Sequence, residues 1–385
     1  MWNKISQGAV KCCYTLWKAG FGAWPVGGCV RDLLLDRVPG DFDVTTSARP
    51  EQVMELFDHT VPTGIKHGTV TVILEGETLE VTTLRGETGY SDGRHPDGVV
   101  FGVSLEEDLA RRDFTVNAMA IRPDGSVADP FHGWKDLRAG CIRCVGEPRR
   151  RFEEDALRML RGVRFGAQLD FEIEKNTLKA MEACACKVEN LAAERVLVEV
   201  EKTLLSPRPE RLGQMFELGL LAPWYDGPVP KLAGLGGVAC ERLARWAALC
   251  RRLGDGQLPA RLRSDKALAR ACREGLELYR SGVPTQARGW RHALARYGAD
   301  SCRAAVAMTG KPEAAEELER VLAQNPCVRV TDLALSGGEL KSLGYTGADI
   351  GRVQRELLEL VLDEPERNTT RKLWAALCRD KAVQG

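Results

Sequence analysis

The 385-residue chain is 44% hydrophobic and 28% charged, enough apolar material for a sizeable core and a length suited to more than one compact unit, which excludes a disordered tail. Its 54 Lys+Arg balance 54 Asp+Glu, so an anionic partner has to be met by local basic patches and not by a global field. Thirteen cysteines scattered from Cys12 to Cys378, no apolar run near the roughly 18 residues of a membrane span and no secretory pattern at the N-terminus predict a reduced, cytoplasmic protein.

In chain order, residues 1 to about 140 read as α+β. A helical opening leads to Gly27-Gly28 and a second helix from about Val30 to Leu35. A short strand around Asp41 to Val44 and a helix from about Pro50 to Phe57 follow. Alternating segments His67 to Leu74 and Thr78 to Leu84 flank Glu75-Gly76-Glu77 and predict a hairpin in a sheet with one buried face. After about residue 150 the texture changes to Leu, Ala, Arg and Glu at helical spacing, interrupted by prolines between Pro207 and Pro230. From Glu241 to Asp300 there are 13 Lys/Arg against 6 Asp/Glu, a basic helical stretch that suits RNA and equally suits solvated amphipathic faces.

Four segments carry chemistry. Gly27-Gly28 before a helix lets backbone N–H groups approach a polyphosphate, and Arg31, about one turn in, adds a charge-assisted contact. In Asp41-Phe42-Asp43 the two acids share one face of an extended segment and repel unless a cation lies between them. An Asp-x-Asp pair alone is a common polar turn; with the glycine segment upstream it suits Mg²⁺ held by carboxylates and substrate phosphates, as nucleotidyl transfer requires. In Arg111-Arg112-Asp113-Phe114-Thr115-Val116-Asn117, polar groups open an apolar strand, with Arg112 suited to bidentate contact with a nucleotide's sugar and phosphates. Asp113 and Glu80 are both candidates for a third carboxylate. In Glu153 through Arg164, Asp155 and Arg158 are i, i+3 neighbours on a predicted helix: an intrahelical ion pair, or an acceptor and a donor facing a base edge. The cysteine pairs Cys141/Cys144 and Cys184/Cys186 do not make a zinc set.

These segments, in this order and spacing, resemble the class II CCA-adding enzymes, the bacterial and eukaryotic tRNA nucleotidyltransferases of the polymerase-β-like superfamily. The resemblance extends through Thr63 to Val70, Ser104 to Leu109, Asp129-Pro130-Phe131 and Glu194-Arg195 to Lys202. It thins beyond about residue 230 until Leu333 to Leu340. It implies a catalytic head (1–140), a helical neck with the nucleotide-selecting helix (141–205), a basic body (206–300) and a tail (301–385) that binds tRNA.

By position, Asp41 and Asp43 would hold Mg²⁺, Gly28 and Arg31 would meet the triphosphate, and Arg112 the sugar-phosphate. Asp155 and Arg158 would select CTP and then ATP without a nucleic-acid template, supported by Arg161 and Arg164. The partners implied are the tRNA 3′ end, CTP and ATP. Relatives that add only CC, only A or poly(A) are the alternatives, besides an inactive RNA-binding protein. The full-length segment Arg85 to Pro96, where CC-adding members carry a shortened loop, argues against CC-only addition.

Overall fold

The computed structural model describes residues 1–88 and 98–383; most of the Arg85–Pro96 segment lies outside the described residues. The chain forms two compact units, Met1–Val229 and Pro230–Gly385.

The first unit opens with α1 (Gln7–Lys18), started by the Ser6 hydroxyl accepting from the Ala9 amide, with Ala9, Cys12, Cys13 and Leu16 on its buried stripe. Then come β1 (Ala23–Val26), α2 (Gly28–Leu34), β2 (Asp43–Thr46), α3 (Pro50–Leu56), β3 (Thr60–Gly64), β4 (Thr69–Leu74) and β5 (Glu77–Thr83). The predicted hairpin is β4–β5, paired from Thr69↔Thr82 to Leu74↔Glu77. Its turn residues Glu75 and Gly76 both have positive φ, 53° and 76°, the twist that suits a two-residue connection. After β6 (Arg85–Thr88), β7 (Gly98–Phe101) and α4 (Leu105–Ala110), the short strands β8 (Ala120–Ile121) and β9 (Val127–Ala128) complete a seven-stranded sheet of order β3-β4-β5-β2-β1-β8-β9. Only β2 and β5 are parallel neighbours in it.

The expected strand over Arg111–Asn117 is instead a bend followed by one 3₁₀ turn, Thr115–Asn117. One antiparallel bridge, Phe114 opposite Cys144, is formed there, but the Asp113 carboxylate accepts from the Phe114 amide and the Asn117 amide bonds back to the Phe114 carbonyl, so local bonds stop the pairing at a single bridge.

Helices then dominate: α5 (Gly133–Arg138), α6 (Pro148–Glu154), α7 (Leu157–Leu169), α8 (Lys175–Cys184), α9 (Ala193–Leu204) and α10 (Leu212–Glu217), with the two-stranded β10 (Cys141–Ile142) and β11 (Glu172–Ile173) between them. Helix α10, expected in the body, packs on α7 and belongs to the first unit.

The second unit is helical throughout its described residues: α11 (Arg242–Leu253), α12 (Leu258–Arg261), α13 (Lys266–Ser281), α14 (Ala287–Tyr297), α15 (Ala299–Thr309), α16 (Pro312–Ala323), α17 (Gly337–Ser342), α18 (Ala348–Asp363) and α19 (Thr370–Val383). One core gathers around Trp290, Cys302 and Leu318, another around Leu340, Leu357 and Leu373. Part of the positive excess between 241 and 300 is absorbed internally. Arg245 and Arg291 are buried and donate to the carbonyls of Val238 and Leu362, while Arg242, Arg261 and Arg270 pair with Asp265, Asp255 and Glu274. No helix among the described residues is long and apolar enough to cross a membrane.

Candidate active site

A cavity of about 790 Å³ in the first unit brings together Gly27, Gly28, Arg31, Asp41, Asp43, Glu80, Arg112, Asp113, Asp155, Arg158, Arg161 and Arg164. Every site residue singled out from the sequence therefore lines one space.

The acids are placed by strand register. Strand β2 begins at Asp43, so Asp41 lies just before it; Phe42 is buried between the exposed Asp41 and the half-buried Asp43. Asp43 stands opposite Val26 of β1 and beside Glu80 of β5. Burial, together with the charges of Asp41 and Glu80, pushes the Asp43 carboxyl up to about 6, against the opposing pull of Arg112. Asp41 and Glu80 lie near enough for their charges to raise Asp43, although among the described residues no three His, Cys, Asp or Glu side chains are grouped tightly enough to hold a metal ion as they stand. Oxygen-only donors short of a counter-ion fit a hard divalent cation.

Glycine geometry admits Arg112. Gly27 has φ 82°, and a Cβ there would sit 3.0 Å from Arg112 Nη1. Asp108, fully buried, accepts from Arg111 at 2.8 Å and lies 3.6 Å from Arg112, steering both side chains. Burial first, and the like charge of Arg111 next, lower the Arg112 guanidinium's pKa, while Asp108, Asp43 and Asp113 oppose that shift. Its Nε is buried with no hydrogen-bond partner. Arg31 chelates Asp32 and donates from Nη1 to Asn117 Oδ1 at 2.7 Å, tying α2 to the 3₁₀ turn.

Asp113 is committed elsewhere. Its carboxylate accepts from Arg161 Nε at 2.7 Å, the Phe114 amide at 2.8 Å and Asn117 Nδ2 at 3.3 Å. Burial alone would raise it; the charge and hydrogen bond of Arg161 overcome that and hold it down at about 2. Of the two candidates for a third carboxylate, Glu80 is the one beside Asp43 in the sheet.

The segment read as one continuous helix from Glu153 is broken. Helix α6 ends at Glu154, Asp155 is extended (φ −150°, ψ 108°), and α7 starts at Leu157. The physical reason is local: Asp155 Oδ1 accepts from the Leu157 amide at 3.0 Å, starting the second helix as a short acceptor side chain can. Asp155 and Arg158 are therefore not ion-paired. Asp155 is held by Arg195 of α9 at 2.8 Å, and Arg158 by Glu154 at 2.7 Å and by the Arg111 carbonyl at 3.3 Å. Arg164 donates to Glu199 of the same α9 at 2.5 Å and to Gln168 at 2.7 Å.

Arg195 and Glu199 were not singled out from the sequence. Their i, i+4 spacing puts them on one face, and that face holds Asp155 and Arg164 instead of pairing with itself. Thr63, His67 and Phe165 also line the cavity without having been assigned a role.

A mixed sheet presenting neighbouring acids beside a glycine turn, backed by arginine-bearing helices, defines a nucleotidyltransferase. Residues 23–143 match the model of the poly A polymerase head domain, and 170–231 that of the probable RNA and SrmB-binding site of polymerase A. The chain is 38% identical over 373 residues to the CCA-adding enzyme of Limosilactobacillus fermentum, covering 90% of each chain, and it belongs to the CCA-adding enzymes. It is 53% identical over 193 residues to the Pediococcus pentosaceus CCA-adding enzyme, an alignment spanning 49% of that relative, about half its length. The crystal structure of the Bacillus stearothermophilus CCA-adding enzyme in complex with CTP superposes with TM-score 0.83 at 32% identity, covering 98% of both chains.

Proposed function

We propose that this protein extends the 3′ end of tRNA with C, C and A, taking CTP and ATP in turn without a nucleic-acid template. The observation that carries the reading is the convergence, in one cavity, of the Asp41/Asp43/Glu80 acids with the Asp155 and Arg158 side chains, in a chain that belongs to the CCA-adding enzymes. The terminal ribose hydroxyl attacks the α-phosphate; its oxygen–phosphorus bond forms as the bond to pyrophosphate breaks.

Asp41 and Asp43, with Glu80 as the third oxygen donor, would hold Mg²⁺, which when bound lowers the pKa of the attacking hydroxyl and neutralises charge on the leaving group. Gly28 and Arg31 meet the triphosphate, and Arg112 meets the ribose and phosphates. Asp155 accepts from and Arg158 donates to the edge of the incoming base, so protein groups stand in for a template base. Arg195 and Glu154 fix the angle of each, and Arg161 and Arg164 face the phosphates.

The head (1–140) and neck (141–205) carry this chemistry, and the body (206–300) and tail (301–385) hold tRNA. The reaction belongs to the cytoplasm. The test is to incubate the protein with Mg²⁺, CTP and ATP and with tRNAs lacking three, two or one terminal nucleotides, then sequence the product ends. Completion of all three to CCA is expected. Extension of only the tRNA that lacks the final A would replace this reading with A-addition, and long A tails would replace it with poly(A) synthesis.

A further inference from the structure

The Phe165 ring has no role in the reading above, yet three arginines converge on it. The guanidinium of Arg164 lies 4.0 Å from the ring centroid, that of Arg161 5.3 Å and that of Arg31 5.4 Å, all within cation–π range. Arg161 and Arg164 flank Phe165 on α7, whereas Arg31 arrives from α2. The ring is 5% exposed and is braced edge-on by Phe114, centroids 5.9 Å apart at 79°. Phe114 can come that close because Gly162 stands where a Cβ would meet it at 3.0 Å.

Each arginine has one acidic partner, Asp32, Asp113 or Glu199, which consumes some of its donors and leaves others. Three like charges in one corner repel, and those acids lie on different elements. The negative face of the ring is the one group common to all three.

We propose that Phe165 is a positioning residue for the phosphate subsite: its π-face gathers and orients Arg31, Arg161 and Arg164 so that their free donors point together at the nucleotide's phosphates. This rests on the proposed function for the identity of the ligand, and it deepens that reading by separating a phosphate-gathering residue from the base-reading pair. Phe165 touches no phosphate; it acts through the three guanidinium groups.

The test replaces Phe165 by its mono-, di- and trifluorinated analogues, which drain negative charge from the ring face with little change in shape. Calorimetry with Mg²⁺ present measures binding of CTP and of inorganic tripolyphosphate, which has phosphates and no base. Affinity for both is expected to fall stepwise along the series, about tenfold in all, with an unchanged melting temperature and unchanged CTP/ATP discrimination in tRNA extension. Equal affinity across the series overturns the proposal. So does a fall in CTP affinity with tripolyphosphate spared, or a fall that only tracks lost thermal stability. Phe165→Leu, which keeps apolar volume and removes the ring, is expected to match the trifluoro variant, with recovery in Phe165→Tyr. If the unaltered protein extends no tRNA, the functional reading fails by itself, and the tripolyphosphate series still decides the role of the ring.

Discussion

Asp113→Asn separates two duties that a carboxylate in this cavity could have. Asp113 is 8% exposed and its carboxyl is held down from an ordinary 3.8 to about 2. At about 1.4 kcal/mol per tenfold change in proton binding, that shift corresponds to roughly 2–3 kcal/mol of folded-state stability. The folded pKa lies below the unfolded one, so this contribution is complete above about pH 4 to 5 and disappears as the pH falls toward 2. Removing the charge also strands Arg161, and breaking a buried pair costs about 3–5 kcal/mol by precedent, so a loss of about 3 kcal/mol at pH 7 is expected.

The assay is urea unfolding of both proteins at a series of pH values, read as the difference between them. That difference should be largest at neutral pH and shrink between about pH 5 and pH 2. A constant difference across that range would refute the electrostatic account of Asp113. Mg²⁺ titration gives the second arm: Asp113→Asn is expected to leave the affinity within about twofold, whereas Glu80→Gln, which removes an oxygen donor's charge beside Asp43, weakens it about tenfold or more. The reverse ranking would reinstate Asp113 as the third metal carboxylate.

Asp155→Ala and Arg158→Ala are expected to relax discrimination between CTP and ATP by about tenfold or more while leaving Mg²⁺ affinity intact; incorporation of each nucleotide alone measures it. Arg195→Ala should move discrimination in the same direction as Asp155→Ala, with non-additive losses in the double variant, because the Arg195–Asp155 contact of 2.8 Å fixes the acceptor. Gly27→Ala forces a side chain into φ 82° and a Cβ to 3.0 Å from Arg112. It should cost about 1–3 kcal/mol in unfolding experiments and raise the KM of both nucleotides together.

The sequence was most legible where one residue type answers one physical need. The diglycine before α2, the Asp-x-Asp spacing and the β4–β5 alternation all sit within two residues of their predicted places. Its reading failed where a short polar side chain competes with the backbone. Asp113 binds the amide next to it and the expected strand shrinks to a single bridge; Asp155 binds the Leu157 amide and splits a helix. Both changes alter what the acids face. On a continuous helix Asp155 would have met Arg158, but across the break it meets Arg195, forty positions along the chain. Such a partner has no local signature beyond the shared face of Arg195 and Glu199.

That pairing pattern shows how the cavity can hold so many charges and still be able to accept the anion of the proposed function. Three of the acids around it that hold an arginine are fixed in the wall: Asp113 by Phe114 and Asn117, Asp155 at the start of α7, and Glu199 within α9. The arginines are thus neutralised in fixed directions, which reduces the repulsion of bare cations. Across the cavity the acids dominate: burial first, and then the charges of Asp41 and Glu80, raise the Asp43 carboxyl to about 6 against the pull of Arg112. On the proposed function, a metal-bound triphosphate would satisfy both sides at once, with Asp41, Asp43 and Glu80 toward its cation and the helix arginines toward its phosphates. Tripolyphosphate and Mg²⁺ should therefore bind cooperatively, each raising the affinity for the other. Independent binding of the two would mean that the two walls do not act on one ligand.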